Sequence, residues 1–318
     1  MLRFRPLSWC LASCLSALLP VTVLAQDCDR DCLQGYMDQV LAGYAAHDAS
    51  GLPLSDDFRY TENGQDIALD DGLWMTWTGD SDWHLPVADP HSGQMAWLSV
   101  IEEGATPVIA YWRMQVEGQE ISELELLINR GGQMTLENLQ QVKPIFLETL
   151  PEAQRSSREE MVRITNSYFS GLDEENSGAN VPFHPDCRRQ ENGAWLANNP
   201  EAGNEMQRLG CKAQFDTGFS VIVTDIRERR YLVLDEERGL SYAIVFFDHD
   251  GTPETMGYVG GTTREVRAPF DRPLTFMIGE LFKIVDGQIR EIEAIIVTVP
   301  YGQPSGWNGE DLISRGLL

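Results

Sequence analysis

The chain has 318 residues, with 24 Lys and Arg against 49 Asp and Glu, and its formal net charge at pH 7 is −25. A surface this negative repels phosphate backbones and anionic lipid headgroups, which disfavours nucleic-acid binding and attachment to a membrane surface. The length is sufficient for two domains of ordinary size, each with its own hydrophobic core.

Residues 1–25 have the pattern of a signal peptide. Arg3 and Arg5 precede an apolar stretch over residues 7–24, and small side chains stand just before Gln26, where a signal peptidase would cut. A membrane anchor is the alternative, but the apolar stretch is short and interrupted for a membrane span. We therefore expect a periplasmic or secreted protein that has no membrane attachment after cleavage.

Four cysteines follow the predicted leader: Cys28, Cys32, Cys187 and Cys211. An even number of cysteines in an exported chain indicates disulfides. Of the three ways to pair them, we favour Cys28–Cys32 and Cys187–Cys211, because each bond then stays within one predicted domain. A zinc site is the alternative, but no histidine accompanies either pair at the usual spacing.

The first predicted domain, residues 27–130, begins with an amphipathic helix. Apolar residues recur at helical spacing over residues 33–44. Apolar runs at 95–101 and 108–114 predict strands. Gly118 marks a tight turn, and the alternation after it predicts a hairpin with one buried face.

Aromatic and ionisable residues are concentrated in the middle of this domain. Aromatic walls bind flat ligands, and an apolar environment shifts the pKa of a carboxyl or imidazole group toward its neutral form, which suits proton transfer. The candidate ligand wall is Trp74, Trp83, Trp112 and Tyr60, and the candidate catalytic residues are His84, His91 and Glu62. The alternative is that the tryptophans fill the core. A transition-metal site would use Asp82, His84, Asp89 and His91. Prolines make its spacing irregular, and we expect no metal.

The second predicted domain, residues 155–301, repeats the order of elements. A capping box at residues 157–160 precedes an amphipathic helix over 161–172. The tripeptide at 191–193, Glu-Asn-Gly, repeats the one at 62–64, and a second turn-and-strand pattern follows Asp286-Gly287. We expect residues 131–154 to be a packed connector and residues 302–318 to be an irregular tail.

The run at residues 246–251, Phe-Phe-Asp-His-Asp-Gly, brings a histidine and an aspartate to the end of a predicted strand. Alternation places His249 on the face of Phe247 and Asp248 on the face of Phe246 and Tyr242. A histidine with a carboxylate beside it would be a general base. The alternative is a turn in which the aspartate bonds its own backbone.

Arginine and glutamate stand together at both tripeptides. Arg188, Arg189 and Glu191 would orient a ligand and supply a buried acid. The alternative is a structural ion pair that holds the loop. Arg59 and Glu62 occupy the corresponding positions of the first copy. This recurrence favours the structural alternative, because two copies need not share a substrate.

Several segments together carry a family resemblance: residues 62–64, 72–74, 187–193, 211–218, 235–239 and 246–249. With them the chain resembles SnoaL-like members of the nuclear-transport-factor-2-like superfamily in tandem, and in particular an uncharacterised family of exported bacterial and fungal proteins. The resemblance implies an α+β fold of two cone-shaped domains, each a curved antiparallel sheet around its N-terminal helix with a pocket at the open end. The superfamily contains isomerases, cyclases, dehydratases, hydrolases and plain binding domains, so the resemblance does not select an activity.

We therefore expect an exported, cofactor-independent enzyme of lyase, isomerase or hydrolase type that acts on a small neutral organic molecule by acid–base catalysis. The expected catalytic residues are His249 as base, Asp248 and Glu191 in support, and Arg188 or Tyr242 to polarise the substrate. If the first domain is active instead, His84, His91 and Glu62 take these roles. The alternative is a non-catalytic exported protein that binds a ligand or a partner. We expect either a monomer whose domains act as a pseudo-dimer or a homodimer.

Overall fold

The computed structural model describes residues 28–131 and 134–318, and the predicted signal peptide lies outside the described residues. The described chain is α+β, with few helices and two six-stranded sheets, one from each half of the sequence. No helix within these two ranges is both long enough and apolar enough to cross a bilayer.

The first half forms one sheet with its opening helix. Its elements are α1 (Arg30–Ala46), β1 (Leu54–Glu62), β2 (Gln65–Asp66), α2 (Leu73–Thr76), β3 (Trp77–Asp89), β4 (Gln94–Glu103), β5 (Thr106–Glu117) and β6 (Glu120–Asn129). The strand order across this sheet is β2-β1-β6-β5-β4-β3. Asp29 caps α1, because its side chain accepts a hydrogen bond from the backbone N–H of Cys32.

The second half repeats this order with added segments. Its elements are α3 (Pro144–Leu147) in the connector, α4 (Arg158–Asp173), β7 (Phe183–Glu191), β8 (Ala194–Ala197), α5 (Glu205–Arg208), α6 (Cys211–Phe215), β9 (Asp225–Asp235), β10 (Leu240–His249), β11 (Thr255–Gly257), β12 (Thr263–Glu265), β13 (Leu274–Val285) and β14 (Gln288–Val299). The second sheet has the order β8-β7-β14-β13-β10-β9, and β11 and β12 pair separately.

Both sheets are mixed, so the expectation of purely antiparallel sheets is wrong. β1 pairs with β6 in parallel, and β7 pairs with β14 in parallel. Two adjacent parallel strands need a connection of a dozen or more residues between them in the chain. In each half of the sequence, the intervening strands provide this connection. The hairpin turns visible in the sequence join only consecutive strands and leave this pairing undetermined.

Each sheet has one face against a helix and the other against the opposite sheet. α1 packs on the first sheet in one core, and α4 packs on the second sheet in another. A third core lies between the sheets and contains Tyr111 and Leu127 from the first sheet and Tyr242 and Leu281 from the second. Alternation along each strand therefore sorts the side chains between a helix-facing face and an inter-sheet face.

The two Glu-Asn-Gly tripeptides occupy equivalent places. Asn63 and Asn192 have φ values of 48° and 46°. The side chain of Asn63 exchanges two hydrogen bonds with the backbone of Ile128. Asn192 does the same with Ile296. In both sheets the asparagine side chain continues the parallel ladder beyond the end of the strand.

The connector and the tail are packed against the domains. Leu139 and Phe146 of the connector are buried in the inter-sheet core. The last 18 residues form no helix or strand, yet Trp307 is only 1% exposed, and its Nε1 donates to Oγ1 of Thr61 at 3.0 Å. Leu312 is buried in the core of the second domain. The tail is irregular in secondary structure and contacts both domains.

The predicted cysteine pairing is present. Cys28 and Cys32 are joined at the start of α1, and Cys187 joins Cys211, which links β7 to α6. The capping box before α4 is half formed: Ser157 accepts from the backbone N–H of Glu160, whereas the Glu160 carboxylate pairs with Arg163.

Candidate functional site

The register of the second sheet places four residues in one row. Glu191 of β7 pairs with Ala294 of β14, Ala294 pairs with Glu280 of β13, and Glu280 pairs with Ala243 of β10. Paired residues of neighbouring strands point to the same side of a sheet. Arg189, two residues before Glu191, points to this side as well. Two carboxyl groups and an arginine therefore share the helix-facing face.

This row opens into a cavity of about 220 Å³ in the second domain. Most of its wall is apolar and includes Leu172, Phe219, Ile222, Phe247, Phe270, Phe276, Ile278 and Ile296. Its polar side chains are Tyr168, Arg189, Glu191, His249, Arg264 and Glu280. A mainly apolar cavity with a few converging polar groups is the usual form of a small-molecule site.

Glu280 is the most strongly perturbed carboxyl group of the cavity. Burial raises its pKa to about 8, because the ionised form loses its water, and the nearby Glu191 adds to the shift by repelling a second negative charge. Arg189 and Tyr168 act in the opposite direction. The Glu280 carboxyl group therefore holds its proton at neutral pH and can donate it.

Arg189 and Glu191 form an ion pair beside Glu280. Arg189 Nε lies 2.9 Å from Oε1 of Glu191, and an Arg189 Nη donates to Oε1 of Gln214 at 2.9 Å. Burial acts to lower the pKa of Arg189, but Tyr168 and the two glutamates outweigh it and raise that pKa. Burial, and then Glu280, raise the pKa of Tyr168 well above its usual value. Tyr168 consequently remains a neutral phenol that can donate a hydrogen bond.

His249 lies at the other end of the cavity. In the ladder between β10 and β13, His249 pairs with Leu274 and Ala243 pairs with Glu280. These two pairs are six residues apart along the strands, which corresponds to about 20 Å. Nδ1 of His249 is 2.7 Å from the carbonyl oxygen of Ile222. Burial lowers the pKa of His249, so the ring is neutral at pH 7. The predicted base therefore lines the cavity but is remote from Glu191 and Glu280.

Two of the predicted catalytic residues, Asp248 and Tyr242, point away from the cavity. Asp248 pairs with Arg227 at 2.8 Å and accepts from Thr275. The ring of Tyr242 is buried in the inter-sheet core. The predicted grouping of these residues with His249 is wrong, because adjacent residues of a strand, or residues an odd number apart, face opposite sides.

Arg188 is also directed away from the cavity. Its Nε donates to Glu291 at 3.0 Å, on the face opposite to Arg189. Of the five residues predicted for the second domain, the structure brings only His249 and Glu191 to the cavity wall. The residue that takes the place expected for Arg188 is its neighbour Arg189.

The interior of the first domain is filled where the second is hollow. The equivalent row, by register, is Glu62, Leu126, Trp112 and Trp97. Trp112 is fully buried, and Tyr44 of α1 packs against it with ring centroids 5.0 Å apart. The predicted ligand wall there is core, which was the alternative considered from the sequence.

The other first-domain candidates are also used structurally or lie apart. Tyr60 and Trp74 are buried in the helix-facing core, whereas Trp83 lies in the inter-sheet core. His84 is exposed and stacks on Trp97, with centroids 4.6 Å apart. His91 is exposed beside the first disulfide.

Glu62 has its oxygens engaged by the protein. It accepts from the backbone N–H of Leu73 at 2.8 Å and from the Tyr60 hydroxyl at 3.2 Å, and it pairs with Arg130. Asp89, considered as a metal ligand, instead accepts two hydrogen bonds from Arg158. Across residues 28–131 and 134–318, no group of three or more His, Cys, Asp or Glu side chains is arranged to hold a metal.

Glu280 and Tyr168 were not predicted as site residues. The signal for Glu280 was present in β13, where alternate residues Phe276, Ile278, Glu280 and Phe282 share one face. One carboxyl group on an otherwise apolar strand face is a candidate for a perturbed pKa. Tyr168 could not be separated from the apolar stripe of α4 to which it belongs.

Comparison with known proteins gives one family match. Residues 154–296, which include the whole row from Glu191 to Glu280, match a family described as "Domain of unknown function (DUF8021)". A comparison with curated proteins gives no match.

Three solved structures have distant similarity to the chain. SalBIII, described as an epoxide hydrolase/cyclase-like enzyme in pyran ring formation in the polyether salinomycin, is 10% identical, with a TM-score of 0.30 over 44% of this chain and 93% of its own. AclR from Streptomyces galilaeus is 12% identical, with a TM-score of 0.29 over 51% and 88%. A de novo designed protein with a curved β-sheet is 14% identical, with a TM-score of 0.27 over 45% and 88%. Because these TM-scores are below 0.5, we infer neither fold nor function from them.

Proposed function

We propose that the second domain is a cofactor-independent enzyme of lyase, isomerase or hydrolase type that acts on a small neutral organic molecule by acid–base catalysis. The observation that carries this proposal is the pair of carboxyl groups at one end of an apolar cavity. Glu280 is protonated, while Glu191 is paired with Arg189. A protonated carboxyl group and a carboxylate paired with arginine at the same end of a cavity can serve as an acid and a base.

The roles follow from the geometry of the row. Glu280 donates a proton to the substrate, Glu191 accepts one from the substrate or from water, and both groups are restored by exchange with water. Ala294 lies between them, so their Cα atoms are two strand spacings, about 10 Å, apart. This separation leaves room between the carboxyl groups for a small reacting group, and proton transfer of this kind requires no cofactor.

The charge balance at the Glu280 end of the cavity favours a neutral reacting group. Arg189 contributes one positive charge and Glu191 one negative charge, and Glu280 is neutral at pH 7. Tyr168 can donate a hydrogen bond to a carbonyl or hydroxyl oxygen at the same end. We place proton transfer here and not at His249, because His249 lies about 20 Å of strand away.

We further infer that the mature chain is exported and works as a monomer. Two disulfides are compatible with an oxidising compartment. The inter-sheet core joins the two domains within one chain, as a pseudo-dimer would be joined. The competing proposal is a non-catalytic protein in which the same cavity retains a ligand.

The test begins with thermal-shift screening of the mature protein against small neutral metabolites, since a ligand that binds only the folded state raises its stability. Ligands found in this way are then assayed for turnover. Glu280→Gln is expected to lower kcat by about 100-fold or more while binding is retained, because the amide N–H is too weak an acid to transfer its proton.

The matched control is Glu293→Gln. Glu293 is a second buried carboxyl group of the same sheet, but it lies on the inter-sheet face next to Lys143. Its substitution should leave kcat unchanged. Wild-type turnover in Glu280→Gln would contradict the proposed acid, and a ligand that binds wild-type protein without being converted would favour the binding protein.

A further inference from the structure

A buried polar atom without a partner lies at the end of the cavity remote from Glu280. His249 is 2% exposed and lines the cavity. Its Nδ1 is 2.7 Å from the carbonyl oxygen of Ile222. A carbonyl oxygen can only accept, so Nδ1 carries the proton and Nε2 of the neutral ring carries a lone pair. Nε2 has no hydrogen-bond partner among the described residues.

The described side chains packed against this nitrogen are aromatic and offer it no hydrogen-bond donor. Phe270 and Phe276 pack against the imidazole, with ring centroids 4.8 and 5.0 Å away. Buried acceptors are almost always hydrogen-bonded in folded proteins, because burial without a bond is costly. His249 Nε2 is therefore an acceptor held in a fixed orientation on the cavity wall, and a donor group of a bound ligand would satisfy it.

We propose that His249 is a specificity-determining residue, whose Nε2 accepts a hydrogen bond from a neutral hydroxyl or N–H group of the ligand. The ligand is then an elongated molecule with an apolar body. Its donor group binds at His249, and its reacting group lies near Glu280. The placement of the reacting group rests on the proposed function, whereas recognition of the donor needs only the cavity.

The apolar lining around His249 selects a neutral donor. A protonated amine would also donate to Nε2, but burial of its charge against the rings of Phe270 and Phe276 is costly. The rings of Phe270 and Phe276 leave the donor end apolar apart from His249 and Arg264. A hydroxyl or amide group on an apolar skeleton fits this combination.

The test uses two probes, one with a hydroxyl donor and one in which a methyl group replaces the donor hydrogen. 4-Propylphenol and 4-propylanisole have the same skeleton, and the methyl ether cannot donate a hydrogen bond. We expect wild-type protein to bind the phenol about 10-fold or more tightly than the ether by calorimetry, the equivalent of one hydrogen bond. Equal affinities, or no binding of either probe, would overturn the proposal.

The variants assign the discrimination to one residue. His249→Phe keeps a ring of similar size and should bind the ether as wild type does, but lose its preference for the phenol. Glu280→Gln should keep the preference, since it acts at the other end of the cavity. If His249→Phe still prefers the phenol to the ether, a group other than His249 binds the donor, which contradicts the proposal.

A direct measurement covers the case in which His249→Phe does not fold. In ¹⁵N-labelled wild-type protein, the Nε2 resonance of His249 should move upfield when the phenol binds and should not move with the ether. An unchanged resonance would contradict the hydrogen bond. If the discrimination is observed but no ligand is ever converted, the proposed catalysis fails and this recognition stands.

Discussion

The two sheets have equivalent strand orders, but the interior of the first domain is filled and that of the second is hollow. In the first sheet the helix-facing row is Glu62, Leu126, Trp112 and Trp97, and in the second it is Glu191, Ala294, Glu280 and Ala243. Two tryptophans and a leucine fill the first interior, whereas two alanines and a carboxyl group leave space in the second. Side-chain volume in this row therefore contributes to leaving the second domain hollow.

Each row contains a glutamate at the equivalent position, but the contacts of the two glutamates differ. Glu62 is held by Leu73, Tyr60 and Arg130, so it contributes to the structure of the first domain. Among the described residues Glu191 has one ionic partner, Arg189, and it lines the cavity. An identical residue at an equivalent place therefore does not imply an equivalent function.

The largest expected effect comes from emptying the filled interior. Trp112→Ala removes a fully buried side chain that contacts Tyr44, and we expect a loss of about 4 kcal/mol in the free energy of unfolding. Chemical denaturation followed by far-UV circular dichroism measures this loss. Trp195→Ala, at a partly exposed site on β8, is the control and should cost far less. A small loss in Trp112→Ala would mean that the first interior is not tightly packed.

The next effect concerns the buried acid of the hollow domain. The pKa of Glu280 is raised to about 8 in the folded state from the ordinary value of 4.5. The folded state therefore binds the proton more tightly, and the stability this contributes is complete below pH 4.5 and is lost as pH rises through 8. Glu280→Gln should match wild type near pH 4.5 and exceed it at pH 9 by on the order of 3 kcal/mol.

Glu293→Gln provides the matched comparison for this titration. Burial raises the pKa of Glu293 to about 7, so its substitution should stabilise in the same direction, by less, and over a lower pH range. Urea denaturation at several pH values distinguishes the two variants. A Glu280→Gln protein whose stability relative to wild type does not change with pH would show that Glu280 is ionised in the folded state.

The smallest effect tests whether the two tripeptides are equivalent. Asn63→Ala and Asn192→Ala each remove two hydrogen bonds to the backbone of the last strand, at a residue with positive φ. We expect each to cost about 1–2 kcal/mol. Asn308→Ala, at an exposed residue with φ of 51°, separates the cost of backbone conformation from that of the bonds. Unequal costs for Asn63 and Asn192 would indicate different roles.

Local patterns in the sequence predicted much of the framework. Helical spacing identified α1 and α4, and apolar runs identified β4 and β5 within their observed bounds. The preferred cysteine pairing was also correct. Alternation placed His249 and Asp248 on opposite faces of β10, and each lies where this pattern puts it. These features depend on backbone dihedral angles and on neighbours within a few residues.

The candidate site depended on residues far apart in the chain. Glu191 and Glu280 come together only through the register of β7, β14 and β13, and no local pattern specifies that register. Whether an aromatic residue fills a core or lines a cavity likewise depends on what packs against it. The sequence by itself determined the two long helices, several strands and the faces of β10 on which His249 and Asp248 lie. Only the tertiary structure decided which faces meet, which interior is filled and which carboxyl group is buried, because pairing and burial are properties of the assembled sheets.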